Sequence, residues 1–138
     1  MPIYSGELRL RTAGGGDTID LTEGVASIVG SSEAEHGSVS VFVEGSTAAV
    51  TTMEFEPGGV TDLRAALDRL IPVEGDYAHN RLNHDTNSHA HIRAAIVGPS
   101  ETIPLKDGTL RLGLWQQIVL VDFDDSPRDR TVVVTVTT

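Results

Sequence analysis

The chain has 138 residues, no cysteine, and twenty acidic against ten basic side chains, for a formal net charge of −10. That length fits one domain burying roughly two thirds of its unfolded surface. The missing cysteines exclude disulfides, thiolate zinc sites and cysteine nucleophiles, and the charge repels nucleic-acid phosphates and anionic membranes.

Any metal is therefore expected on His, Asp, Glu or backbone oxygen. The first seven residues lack a basic start and an apolar run, and no window approaches the roughly 18 apolar residues of a spanning helix. A cytoplasmic protein with no membrane or nucleic-acid partner is expected. The scattered excess acid fits either a solvated surface from a GC-rich genome or a salt-rich cytoplasm that screens self-repulsion. A melting temperature that rises in molar KCl would mark the second.

In chain order, residues 7–11 alternate polar and apolar, the period of a half-buried strand. The run Ala13-Gly14-Gly15-Gly16-Asp17 predicts a turn before a strand at 18–21. A phosphate-cradling reading of the glycines lacks the Gly-Lys-Ser/Thr continuation. Thr22 is placed to cap a short helix over 23–30. Residues 38–43 and 48–52 read as two connected strands. A Pro57-Gly58-Gly59 turn leads to Val60, Leu63, Leu67 and Leu70 at helical spacing, which predicts a helix over 60–71 with Thr61 or Asp62 near its start. A polar loop over 73–87 reaches Ser88, the expected cap of a second helix that ends at Gly98-Pro99. Strands follow at 101–105, 109–112, 116–123 and 131–136. No repeat or linker interrupts this order. The expectation is one α+β domain over residues 1–138, a largely antiparallel or mixed sheet with two main helices packed on it.

Four of the five histidines fall between Tyr77 and His91. Imidazole is a common ligand for zinc and other transition metals, and without thiolates a His plus carboxylate set is the strong option. His89 and His91 share a face in extended chain but point about 200° apart on a helix. They can hold one ion together only if the helix starts after them. His79, His91 and an oxygen of Asp85 form the economical set, His84 a solvated neighbour, and His36 has no evident partner. Glu54 follows a strand, where a sheet edge can present a catalytic carboxylate or merely a solvated charge. Arg128 and Arg130 offer two guanidinium groups in a turn, suited to phosphate or to pairing with Asp124, Asp125 and Asp129.

Several segments resemble the YjbQ family, described as secondary thiamine-phosphate synthases: residues 45–54, Tyr77-Ala78-His79-Asn80, residues 89–100, Leu112-Gly113-Leu114-Trp115-Gln116-Gln117-Ile118 and Ser126-Pro127-Arg128-Asp129-Arg130. The resemblance spans nearly the whole chain. It implies an α+β homotrimer that joins an aminopyrimidine methyl diphosphate to a thiazole phosphate. It also implies roles for Glu54, Asp85 and His91 in catalysis and a divalent ion, zinc or magnesium/manganese, on His79 and His91, with His89 a further metal ligand on condition that the helix starts after it. Arg93, Ser100, Arg128 and Arg130 would bind the small phosphorylated metabolite. Glu54 could be a ligand or a general base, and Trp115 is expected in the core or an interface. Gly45 stands where many members carry His, which raises the question whether His89 replaces that imidazole. Metal-dependent hydrolysis of a phosphorylated metabolite and a non-catalytic metabolite- or metal-binding trimer are the competing readings.

Overall fold

The computed structural model describes residues 2–138. Two antiparallel sheets carry the fold. The first has five strands in the order β1 (Ile3–Thr12), β8 (Arg128–Thr137), β3 (Gly37–Val43), β5 (Ser100–Lys106) and β6 (Thr109–Leu110). The second has three, β2 (Asp17–Asp20), β7 (Gln117–Asp122) and β4 (Ala48–Met53). Four helices complete it: α1 (Thr22–Ser32), α2 (Pro57–Leu70), α3 (Ala78–Asn83) and α4 (Ser88–Val97).

Strand β7 explains the layering. Its apolar run is continuous because both faces are buried, as in a strand between two layers. Ile118 and Leu120 pack with Val39, Val41, Val132 and Val134 of the larger sheet and with Val25 and Val29 of α1. Val119 and Val121, on the opposite face, pack with Leu67 of α2 and Ala90 and Ala94 of α4. The molecule is thus sheet on sheet, with α2 and α4 outside the smaller sheet.

The α+β expectation holds, with three revisions. Residues 38–43 and 48–52 are both strands, but β3 and β4 lie in different sheets. A two-residue period cannot tell a strand's partner. Pro57-Gly58-Gly59 is the first turn of α2, where proline is favoured because its missing N–H would be unpaired anyway. Glu56 caps that turn through Gly58 and Gly59 N–H, in place of Thr61 or Asp62. Thr22 does not cap α1, since its hydroxyl accepts instead from Ile118 N–H at 2.9 Å.

The inward register of the strands also carries charge. Arg130 continues the buried face of Val132, Val134 and Val136 on β8, and Asp122 continues that of Ile118 and Leu120 on β7. Charged groups therefore enter one end of the core, close to where α4 begins.

Candidate functional site

The site starts from the polar stretch that carries no apolar period. Residues 78–83 form the short helix α3, with no buried side chain. His84 ends it in the left-handed region at φ 51°, turning the chain back so that Asp85 lies beside His79. Asn80 then fastens the next helix, its Oδ1 accepting from Ser88 N–H at 3.0 Å.

His79 Nε2 stands 3.5 Å from Asp85 Oδ2. It also stands 3.3 Å from the outer atom of the Asn87 amide. That amide atom is 3.2 Å from Asp85 Oδ2. The His91 ring is 4.6 Å from that of His79, centre to centre, tilted by 55°. Asn83 Nδ2 donates to the His79 carbonyl at 3.0 Å and approaches Nδ1 at 3.4 Å, too long to dictate the imidazole tautomer. His79 and Asp85 are only partly covered, at 33% and 44% exposure. Of the expected set, His79, Asp85 and His91 are therefore brought together.

The expected metal role of His89 is overturned. Helix α4 begins at Ser88, before both histidines, so His89 points about 200° from His91. His89 is buried, at 3% exposure, and its Nδ1 has no hydrogen-bond partner. Burial first, then the nearby Arg93 charge, push its pKa below the ordinary value, against the opposing pull of Asp125 and Asp124. It cannot stand in for a side chain at Gly45 on the far side of the helix. Gly45 itself has φ +119°, and a Cβ there would lie 2.6 Å from Arg130 Nη1.

Two of the four groups expected to bind phosphate are committed elsewhere. Arg93 donates to the Ile71 carbonyl at 2.6 Å and to Asp68 at 3.1 Å. Arg130 is clamped to both Asp122 oxygens at 2.7 and 2.9 Å and to Thr47. Neither guanidinium is an open anion receptor. Arg128 and Arg130, expected in a turn, both lie on β8. Arg128 pairs with Asp124 at 3.0 Å but keeps half its surface. Ser100 is exposed at the start of β5, one residue past Pro99. Glu54 lies just beyond the far end of β4 from Ala48, roughly 20 Å away at the rise of a strand. Trp115 is not in the core of the chain, at 69% exposure. His36 and His84 are exposed, His36 facing Asp107 at 3.8 Å.

Beneath the cluster lies a buried charge layer that the sequence reading missed. Asp122 accepts from Arg130, from Thr12 Oγ1 at 2.5 Å and from Asp124 N–H. Asp124 accepts from Thr47 Oγ1 at 2.9 Å, Arg128 and the Asp125 N–H. Burial alone would raise both acids, but these hydrogen bonds outweigh it and hold both carboxyls below the ordinary range. The available signal was two acids alternating with Phe123 at the end of an apolar strand.

Ala48, Ala94, Ala95, Pro99, Gly45 and Ser46 line a groove of about 370 Å³, with His91 at its edge. That volume is within the range of small-molecule sites. Among the described residues no three His, Asp or Glu side chains converge as a cation site. His79 and Asp85 converge with the Asn87 amide.

Fold and site together define a small antiparallel α+β domain that presents a His–Asp–Asn cluster at the start of a helix, beside an apolar groove. The chain belongs to the UPF0047 protein YjbQ-like family, whose model matches residues 6–138. A UPF0047 protein of Methanothermobacter thermautotrophicus is 36% identical over 136 residues, 99% of this chain and 93% of that one. One of Archaeoglobus fulgidus is 38% identical, covering 93% and 97%. A crystal structure of a YbjQ-like protein from Sulfolobus solfataricus superposes with TM-score 0.93 at 30% identity, over 98% of this chain and 96% of that one.

Proposed function

We propose that this chain is a cation-assisted enzyme of small phosphorylated metabolites, with a reaction of the thiamine-phosphate synthase type. The observation that carries the reading is the convergence of His79 Nε2, Asp85 Oδ2 and the Asn87 amide within 3.2–3.5 Å, beside His91. Donor atoms about 2.1 Å from one ion stand roughly 3.0–3.4 Å apart, so the spacing fits a zinc, magnesium or manganese ion. When bound, such an ion stabilises negative charge on a departing diphosphate.

The chain's own groups supply the rest. The apolar groove offers a surface against which a flat heterocycle can pack. His91 at its edge is placed to hydrogen-bond the substrate. In the condensation a thiazole nitrogen bonds to the pyrimidine methylene carbon while the C–O bond to diphosphate breaks, and the electron pair leaves with diphosphate. Arg128 is the guanidinium of the expected set that retains open surface for that anion. The exposed Leu82, Ile96 and Trp115, which a neighbouring copy would cover, favour the homotrimer. Among the described residues no helix is long and apolar enough to cross a membrane. We place the activity in the cytoplasm, without a nucleic-acid partner.

The open His79 and Asp85 favour one second reading, hydrolysis of a phosphorylated metabolite, because water reaches them in the single chain. A product assay separates the two. Condensed product only when both substrates and the ion are present, lost in His91→Ala, supports the transferase. Turnover of one substrate alone supports the hydrolase. Binding without turnover would contradict both and leave a metabolite-binding protein.

A further inference from the structure

We propose that Asn87 is a further ligand of the cation site, giving its carbonyl oxygen, and that the buried Asp124 carboxylate positions the amide to do so. The inference rests on the cation reading of His79 and Asp85 and adds to it an amide ligand and the group that aims it.

Asn87 occupies the N-cap position of α4, where asparagine ordinarily turns its side-chain oxygen onto a helix N–H. It makes no such bond. Asn80 supplies an oxygen to the first N–H of the helix, that of Ser88. The Asn87 amide, 7% exposed, lies between two acids. Asp124 Oδ1 lies on its inner side at 3.4 Å. The two Asp85 oxygens lie on its outer side at 3.2 and 3.3 Å.

An amide has one donating and one accepting end, so one of the two acids must face its carbonyl oxygen. Turning the NH2 outward satisfies Asp85 and His79 but sets the carbonyl against Asp124. Asp124 is 2% exposed and has no water to turn to. It tolerates only donors, and its other partners are Thr47, Arg128 and the Asp125 N–H. The NH2 therefore belongs on the inner side.

The outer side is then Asn87 Oδ1, Asp85 Oδ2 and His79 Nε2, in a triangle of 3.2, 3.3 and 3.5 Å, with Nε2 offering a lone pair when the imidazole carries its proton on Nδ1. Two of them, the amide and carboxylate oxygens, have no hydrogen to share. A cation about 2.1 Å from each atom converts that repulsion into binding. Asp124 never touches the ion but decides which end of the amide does.

The test is calorimetric titration of the full chain with zinc chloride, comparing wild type with His79→Ala, Asn87→Ala and Asp124→Asn. Asn87→Ala is expected to weaken zinc binding about 10- to 100-fold. Asp124→Asn keeps Asn87 but can offer it an NH2, turning the amide the wrong way. About a tenfold loss is expected there. Zinc bound by wild type, lost in His79→Ala and unchanged in Asn87→Ala overturns this inference alone. No zinc on wild type overturns the cation reading with it. Should Asn87→Ala fail to fold, zinc-loaded wild-type crystals decide. Asn87 Oδ1 within about 2.3 Å of the ion supports the assignment, and an amide beyond about 3 Å overturns it.

Discussion

Two layers of charge lie one above the other at the same end of this molecule, and they are built on opposite terms. The lower layer, Asp122, Asp124 and Arg130 with Thr12 and Thr47, is out of water, and its charges are matched by close donors and acceptors. The upper layer, His79, Asp85 and His91, is partly open and loosely joined: His79 and Asp85 approach each other and the Asn87 amide at 3.2 to 3.5 Å, and the one short bond to Asp85 comes from Thr86 N–H at 2.8 Å. Saturated burial of this kind supports structure, because removing one partner strands a charge. Under-saturated groups at a surface are free to take a ligand. Asn87 touches both layers, which is why its amide is the contested element.

The largest expected effect comes from breaking the lower layer. Arg130→Met strands the fully buried Asp122 and is expected to cost about 3–5 kcal/mol in urea unfolding. A loss below about 1 kcal/mol would mean that the lower layer is not the anchor described. Gly45→Ala comes next, at about 1–3 kcal/mol, because it combines a φ of +119° with a Cβ 2.6 Å from Arg130 Nη1. Wild-type stability close to that of the variant would show that the loop yields freely.

Acid titration sharpens the contrast. Asp122 and Asp124 are held below their ordinary pKa in the folded chain. Their contribution is complete above the unfolded value of about 3.9 and is lost as pH falls through the folded values. Stability is therefore expected to fall below about pH 4, and a flat acid limb would contradict the pairing. His89 runs the other way in charge but not in direction. Its lowered pKa means that the unfolded state takes up the proton first, so stability declines as pH drops below about 6.5. Imidazole NMR should place its midpoint below that of a free histidine. Smallest of all is Asp85→Ala, expected to change stability by no more than about 1 kcal/mol, since the side chain is 44% exposed.

Much of the frame was legible in the chain. The alternation along residues 131–136 predicts the inward valines of β8, and the spacing of Val60, Leu63 and Leu67 predicts α2. The cluster of His79, Asp85 and His91 was legible too, because histidine density marks it. What escaped has physical causes. Helix α3 has no apolar face, so no period announces it. The separation of β3 from β4 depends on which sheet each joins, a long-range choice that local pattern does not encode. Arg128 and Arg130 read as either a phosphate turn or ion-paired groups; both are paired, Arg128 with Asp124 as expected and Arg130 with Asp122, but only Arg130 is buried. Asn87 carries no signal in the sequence: Ser88 is the expected cap of α4, and an amide lies outside the His plus carboxylate set.

The central claim, that the upper layer is a cation site and the lower one its support, is tested most directly by one comparison. Zinc stoichiometry and unfolding midpoint are measured together on wild type and on the double variant His79→Ala/Asp85→Ala. The account predicts one ion per chain in wild type, none in the variant, and midpoints within a few degrees in the absence of zinc. Equal zinc content in the two proteins would contradict it.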